Sequence, residues 1–179
     1  GQFNGSNAFD TGTDSITITS TAGATNEIIT GTGIANTITG NGGADSLNGG
    51  AGNDIFLFNT GDVVTGETIN GGVDTDTISV VTSTDFTSLT TATILPLGLV
   101  EQILIASGQT ATFKGTQLTG QAIAVNASAA GAATLAINVI GATAVNFSTM
   151  AFGAFGANNA FNTGVDIITI TGAAGAETI

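Results

Sequence analysis

Residues 40–57 read GNGGADSLN followed by GGAGNDIFL, two consecutive nonapeptides in one frame. Each has glycines in its first half, an acid at the sixth place (Asp45, Asp54) and an apolar residue at the eighth (Leu47, Phe56). The frame extends upstream through GTGIANTIT (31–39) and AGATNEIIT (22–30), which put Asn36 and Glu27 at the acid position. After an insertion it resumes in TGETIN and GGVDTDTIS, with Glu67 and Asp76. The glycine-rich half supplies turns with φ > 0, where a Cβ is strained. The three residues after the acid make a short strand whose apolar middle residue faces inward. Stacked frames therefore line up Ile29, Ile38, Leu47, Phe56, Ile69 and Ile78 as an interior ladder, with flanks such as Thr37 and Thr39 outward.

If two nonapeptides make one coil, alternate acids share an edge. Glu27, Asp45 and Glu67 fall on one edge and Asn36, Asp54 and Asp76 on the other. So dense a carboxylate ladder repels itself unless a cation neutralises it.

The remaining composition narrows the chemistry. The 179 residues carry thirteen carboxylates against one base, Lys114, for a net charge of −12, with no His and no Cys. That excludes a phosphate-neutralising nucleic-acid surface and argues against an anionic membrane as partner. It also excludes thiol chemistry, a zinc site of the usual kind and a Ser-His-Asp triad. Without Tyr, Trp or Arg, no sugar-stacking platform or anion clamp is at hand. Carboxylates, hydroxyls and main-chain carbonyls remain, the hard oxygen donors that suit Ca2+. No apolar run approaches the roughly 20 residues of a membrane span, so no membrane insertion is expected. The sequence opens at Gly1 without Met or leader, and reads as a mature product or a window of a longer chain.

The frame resembles the RTX (repeats-in-toxin) nonapeptide, G-G-x-G-x-D-x-U-x with U apolar. GGAGNDIFL meets every defined position through Gly49, Gly50, Gly52, Asp54 and Phe56, whereas Asn41 replaces a glycine in its neighbour. The resemblance implies a right-handed parallel β-roll that binds calcium between coils. It points to Asp45 and Asp54 as the first ligands and Asp76 and Asp14 as the next. Glu27, Asn36, Glu67 and Asp166 follow from the degenerate frames, with carbonyls from turns at Gly40, Gly42 and Gly49. About four ions, each with six to eight oxygens, would lower the charge to about −4.

From about 86 to 157 the character changes. No carboxylate lies between Glu101 and Asp166, and short alternating runs recur: VEQILIA (100–106), QAIAVNA (121–127), TLAINVI (134–140) and AVNFS (144–148). Each reads as a half-buried strand. Ile103 and Ile123, with Ile105 and Val125, are spaced as one coil of a wider solenoid. GQTATFKGTQLTGQAIAVNAS (108–128) resembles segments of RTX-type bacterial surface-layer proteins. No helix is expected, since Gly131 splits the Ala-rich stretch 127–136. The expected class is thus all-β, a parallel β-solenoid throughout, narrow near 22–79 and wider after 90.

A longer repeat overlies the short one. AFDTGTDSITIT (8–19) returns as AFNTGVDIITIT (160–171), an offset of 152 residues. The chain divides into a calcium-binding roll (1–85), an apolar solenoid (86–157) and the start of a second module (158–179). Asp74 and Asp76 form a close acid pair of the kind glycoside hydrolysis uses. Asp76 already holds a ladder position, however, and no basic or aromatic residue gathers there. Lys114 reads as a solvated lysine, so no enzyme activity is expected. Thr-x-Thr steps at 17–19, 37–39 and 169–171 raise an ice-binding reading, but the insertion after Phe58 breaks the row. The expected function is a structural unit of an extracellular, cell-surface filament or S-layer, with copies of itself as partner. An adhesin stalk or ice-binding repeat is the alternative.

Overall fold

The computed structural model of the chain describes residues 15–21, 23–90, 94, 99–128, 131–142, 144–152 and 165–173. Its strands are β1 (Ile16–Thr19), β2 (Ile28–Thr30), β3 (Asn36–Thr39), β4 (Ser46–Ala51), β5 (Ile55–Phe58), β6 (Thr68–Val73), β7 (Thr77–Val80) and β8 (Thr84–Asp85). After them come β9 (Gln102–Ile105), β10 (Thr110–Lys114), β11 (Ala124–Ala127), β12 (Thr134–Asn138), β13 (Ala151–Phe152) and β14 (Ile167–Thr171). A helical turn, α1 (Gly115–Leu118), lies between β10 and β11.

The strands stack in parallel as a β-solenoid. The odd-numbered strands from β1 to β13 form one seven-stranded sheet. Opposite it, β2-β4-β6 serve the first coils and β8-β10-β12-β14 the later ones. The coil length varies along the chain. Paired positions are 20 and 18 residues apart in the first coils, 22 and 25 in the next, and between 22 and 33 beyond Gln102. Narrow roll and wider solenoid share one sheet, because β7 pairs with β9 from Thr77↔Gln102 to Val80↔Ile105.

The interior ladder is in place, with Ile29, Ile38, Leu47, Phe56, Ile69 and Ile78 all buried in one core. Thr39, expected outward beside Thr37, is also buried, in the row where it pairs with Thr19. Where the coil widens, three rings fill the added space. Phe58 meets Phe86 edge-on at 5.4 Å, and Phe86 stacks on Phe113 at 4.7 Å. In the wide part Ile103 pairs with Val125 rather than Ile123, a slip of two residues from the expected spacing. A slip of two preserves the face, so Ile123 remains buried just before the strand.

The helical turn α1 had no periodic signal because a buried side chain holds it. Gln117 Oε1 accepts from the Lys114 N–H at 2.6 Å, and its Nε2 donates to the Phe86 and Leu89 carbonyls at 2.9 and 3.1 Å. One amide thereby ties the turn to the coil beneath it. Pro96 lies outside the described residues.

The two sides of this wall should separate cleanly under mutation. Ile78 is fully buried and Ile55, on the next strand, is 37% exposed. Ile78→Ala should cost about 2–5 kcal/mol in denaturant unfolding, and Ile55→Ala under about 1 kcal/mol.

Candidate metal-binding ladder

Each acid of the frame sits one residue before a strand, and those after Glu27 reach to the coil below. Asp45 Oδ1 accepts the Glu27 N–H at 2.8 Å, and Glu67 Oε2 accepts the Asp45 N–H at 3.4 Å. On the other edge Asp54 Oδ1 accepts from Asn36 at 2.7 Å and Asp76 Oδ1 from Asp54 at 2.8 Å. The two columns are Glu27–Asp45–Glu67 and Asn36–Asp54–Asp76, as alternating half-coils require.

The second column has a further member that the nonapeptide frame does not reach. Glu101 Oε2 accepts the Asp76 N–H at 2.9 Å. Its signal was local, since Glu101 precedes the alternating strand QILI as Asp54 precedes IFLF and Asp76 precedes TISV. The column ends on the next coil, where apolar Ile123 precedes β11.

The carboxylates' other oxygens are the notable atoms. Asp45 Oδ2, Asp54 Oδ2, Asp76 Oδ2 and Glu27 Oε2 are buried with no hydrogen-bond partner. An unpaired carboxylate oxygen in a protein interior is costly unless a cation faces it. Each aspartate is wrapped by the glycine five residues earlier. A Cβ on Gly40, Gly49 or Gly71 would run into the Oδ2 of Asp45, Asp54 or Asp76 respectively. Main-chain oxygens crowd the same turns: Thr25 O against Gly43, Thr32 O against Gly50, Gly71 O against Gly49 and Leu99 O against Gly71. No three carboxylates converge among the described residues. A cation here would take one or two carboxylates and draw its remaining ligands from carbonyls and water, a donor set that fits calcium.

Backbone chirality sorts the frames. The second and fourth positions are left-handed in three of them: Asn41 (φ 58) with Gly43 (135), Gly50 (103) with Gly52 (96), and Gly72 (112) with Asp74 (79). Asn41 can replace glycine because asparagine tolerates this region best among ordinary residues. Its Nδ2 also donates to the Ser20 carbonyl at 2.9 Å. Frames 22–30 and 31–39 contain no left-handed residue among those described.

The degenerate positions differ accordingly. Asn36 Oδ1 accepts the Thr32 N–H at 2.7 Å and Nδ2 donates to Thr32 Oγ1 at 3.0 Å, so its amide is consumed within its own turn. The Thr25 hydroxyl donates to Glu27 Oε1. The Gly40 carbonyl accepts from the Ser20 hydroxyl, and Gly42 bridges to Ala24. Asp166 is buried on the other sheet, where Oδ1 accepts the Ala133 N–H at 2.9 Å. Asp14 lies outside the described residues. Asp74 and Asp76 face different surroundings, Asp76 being buried in its column. Asp74 is exposed, and its Oδ2 accepts the Gly52 N–H one coil below at 3.0 Å.

Without metal the ladder holds protons tightly. Burial pushes Asp54 and Asp76 up to about 6, against the opposing pull of the N–H each accepts, with neighbouring acids such as Asp74 adding to the rise. Burial likewise raises Glu67 to about 8, helped by the charges of Asp45 and Asp62. Asp45 moves the same way, again mainly through burial.

Two tests follow from this geometry. The folded state binds these protons more strongly than the unfolded chain, so acid favours folding between the ordinary carboxylate range and the raised values. In chelator, the melting temperature should rise as pH falls from about 8 to about 4, while calcium affinity falls. Asp54→Asn with Asp76→Asn should flatten the dependence. Gly49→Ala should weaken calcium binding and destabilise the roll by more than about 2 kcal/mol. Gly33→Ala, which places its Cβ in open space, should have little effect.

No curated protein and no solved structure matches the chain. A family model does match, the RTX calcium-binding nonapeptide repeat, in four copies over residues 21–64. The columns continue beyond that match through Glu67 and Asp76 to Glu101. With the glycine-wrapped carboxylates already described, residues 21–64 are a run of RTX calcium-binding nonapeptide repeats.

Proposed function

We propose that the chain is a structural repeat unit of an extracellular, calcium-stabilised filament or surface layer, assembled by stacking β-solenoid modules. The observation that carries this reading is the set of buried, partnerless carboxylate oxygens aligned along a solenoid. An array so built needs cations to fold compactly, and turns this open match the roughly millimolar calcium of extracellular modules. RTX repeats occur in secreted proteins, and no helix among the described residues is long and apolar enough to cross a membrane. The RTX repeat family is structural rather than catalytic, which supports a structural role.

The outer wall favours a structural role over an ice-binding one. Its central row runs Thr17, Thr37, Ile55, Thr77, Gln102, Ala124 across adjacent strands. A flat threonine row is not maintained.

The test is calcium dependence of both folding and assembly. In calcium, circular dichroism should show β-structure, and electron microscopy should show end-to-end rods of the full-length protein. Chelator at about pH 8 should disperse the rods and lower both the β-signal and the melting temperature. Unchanged circular dichroism and melting in chelator would overturn the calcium part. Monodisperse monomers with capped ends in calcium would overturn the assembly part.

A further inference from the structure

Strands β1 and β14 are one sequence in two settings. Ile16-Thr17-Ile18-Thr19 returns as Ile168-Thr169-Ile170-Thr171. β1 lies against β3 in the seven-stranded sheet, with Ile18 opposite Ile38. β14 lies against β12 in the four-stranded sheet, with Ile168 opposite Leu135 and Ile170 opposite Ile137. The same side chains point to the core in both. Ile38, Leu135 and Ile137 are buried, and Ile18 packs against that core. Thr17, Thr19, Thr169 and Thr171 are exposed. A single strand sequence therefore accepts a β12 strand along one edge and a β3 strand along the other, and each copy displays one of these two partners.

Among the described strands β14 pairs with β12 alone, and its other side shows the missing partner. Ile168 and Ile170 are 40% and 38% exposed although the strand they pair with is buried. Ile18, the counterpart of Ile170, is covered by the coil that carries β3.

We propose that the open edge of β14 is the docking edge for the β3-type strand of the next repeat module, so that one strand belongs to two modules. The inference rests on the stacking reading above and adds its geometry. β14 closes the four-stranded sheet, whereas its counterpart β1 opens the seven-stranded one. A module consequently does not contain a whole number of coils. The seven-stranded wall of one module continues the four-stranded wall of the module before it. Successive modules are rotated about the axis as well as raised along it. Six strand spacings separate β1 from β13, so the rise is about 30 Å per module. The rotation carries the acid columns to a different side at every module. Like-charged edges then recur about 30 Å apart in rotated positions, well beyond the screening length of roughly 8–10 Å.

The test lengthens the chain by appending residues 30–179 after Ile179, which completes a second module. Thr17 is directly opposite Thr37 in the first copy. Thr169→Cys, combined with Thr37→Cys in the appended copy, should therefore form an intramolecular disulfide in calcium, since paired parallel strands fall within the Cα separation that a disulfide spans. The natural sequence contains no cysteine to compete. Thr169→Cys with Thr77→Cys in the appended copy lies two strands further on and should remain reduced. Equal yields for the two pairs, or none in either, would overturn the proposal.

Hydrogen exchange gives a readout free of substitutions. Amides of Ile168–Thr171 should exchange about tenfold or more slowly in the lengthened chain than in the 179-residue chain. Unchanged exchange would overturn the shared strand. If rods also lengthen by about 30 Å per appended module, the stacking reading survives that failure. If they do not lengthen at all, the stacking reading fails as well.

Discussion

The fold turns on a single interaction, the acceptance by one carboxylate oxygen of the N–H that precedes the strand on the coil below. The acids above Glu27 in the columns make it, from Asp45 on Glu27 to Glu101 on Asp76. The contact fixes register between coils at the corner, where the strands have ended and the sheet's own hydrogen bonds no longer act. It also fixes the orientation of the carboxyl group. Once one oxygen is aimed down the axis, the other is directed into the turn, under the glycine five residues earlier. Coil stacking and cation affinity are thus consequences of one geometry.

The conflict this creates is electrostatic. Desolvation raises the proton affinity of Asp54, Asp76 and Glu67, and the columns add mutual repulsion. A proton relieves that conflict weakly, one site at a time. A divalent ion relieves it more completely, because it brings two charges and recruits the carbonyls that the left-handed turns expose. The glycines are thereby explained by what they touch. Those at the first position leave room for the carboxylate, and those at the second and fourth permit the turn.

Much of this was readable from residues alone. Apolar residues at the eighth place lie in the core, and the two acid columns alternate as the nonapeptide period dictates. Strands such as β10 and β12 follow from two-residue alternation. What escaped depended on contacts between distant segments. Glu101 joins its column through a coil of 25 residues, a length outside any nonapeptide frame. The turn α1 exists because Gln117 meets carbonyls 28 and 31 residues away, which no local pattern records. Ile103 selected Val125 over Ile123 because alternation specifies a face and leaves shifts of two residues open. Asn36 sits in its column, yet its amide is occupied by Thr32, a local hydrogen bond that competes with any outside ligand.

The spread of coil lengths, from 18 to 33 residues, has a mechanical consequence. Strands run across the axis and their hydrogen bonds along it, so a pull on the two ends opens coils one after another instead of shearing them together. Each coil that peels away releases its own contour. An 18-residue coil yields about 60 Å of extended chain and a 33-residue coil about 110 Å. Corners where a carboxylate accepts the N–H below, from Asp45 to Glu101 and again at Asp166, carry one more contact than the coil between them. Under load a wide coil gives the greater extension for each corner that opens. The chain's extension under load is thus set coil by coil, by how many residues each corner encloses.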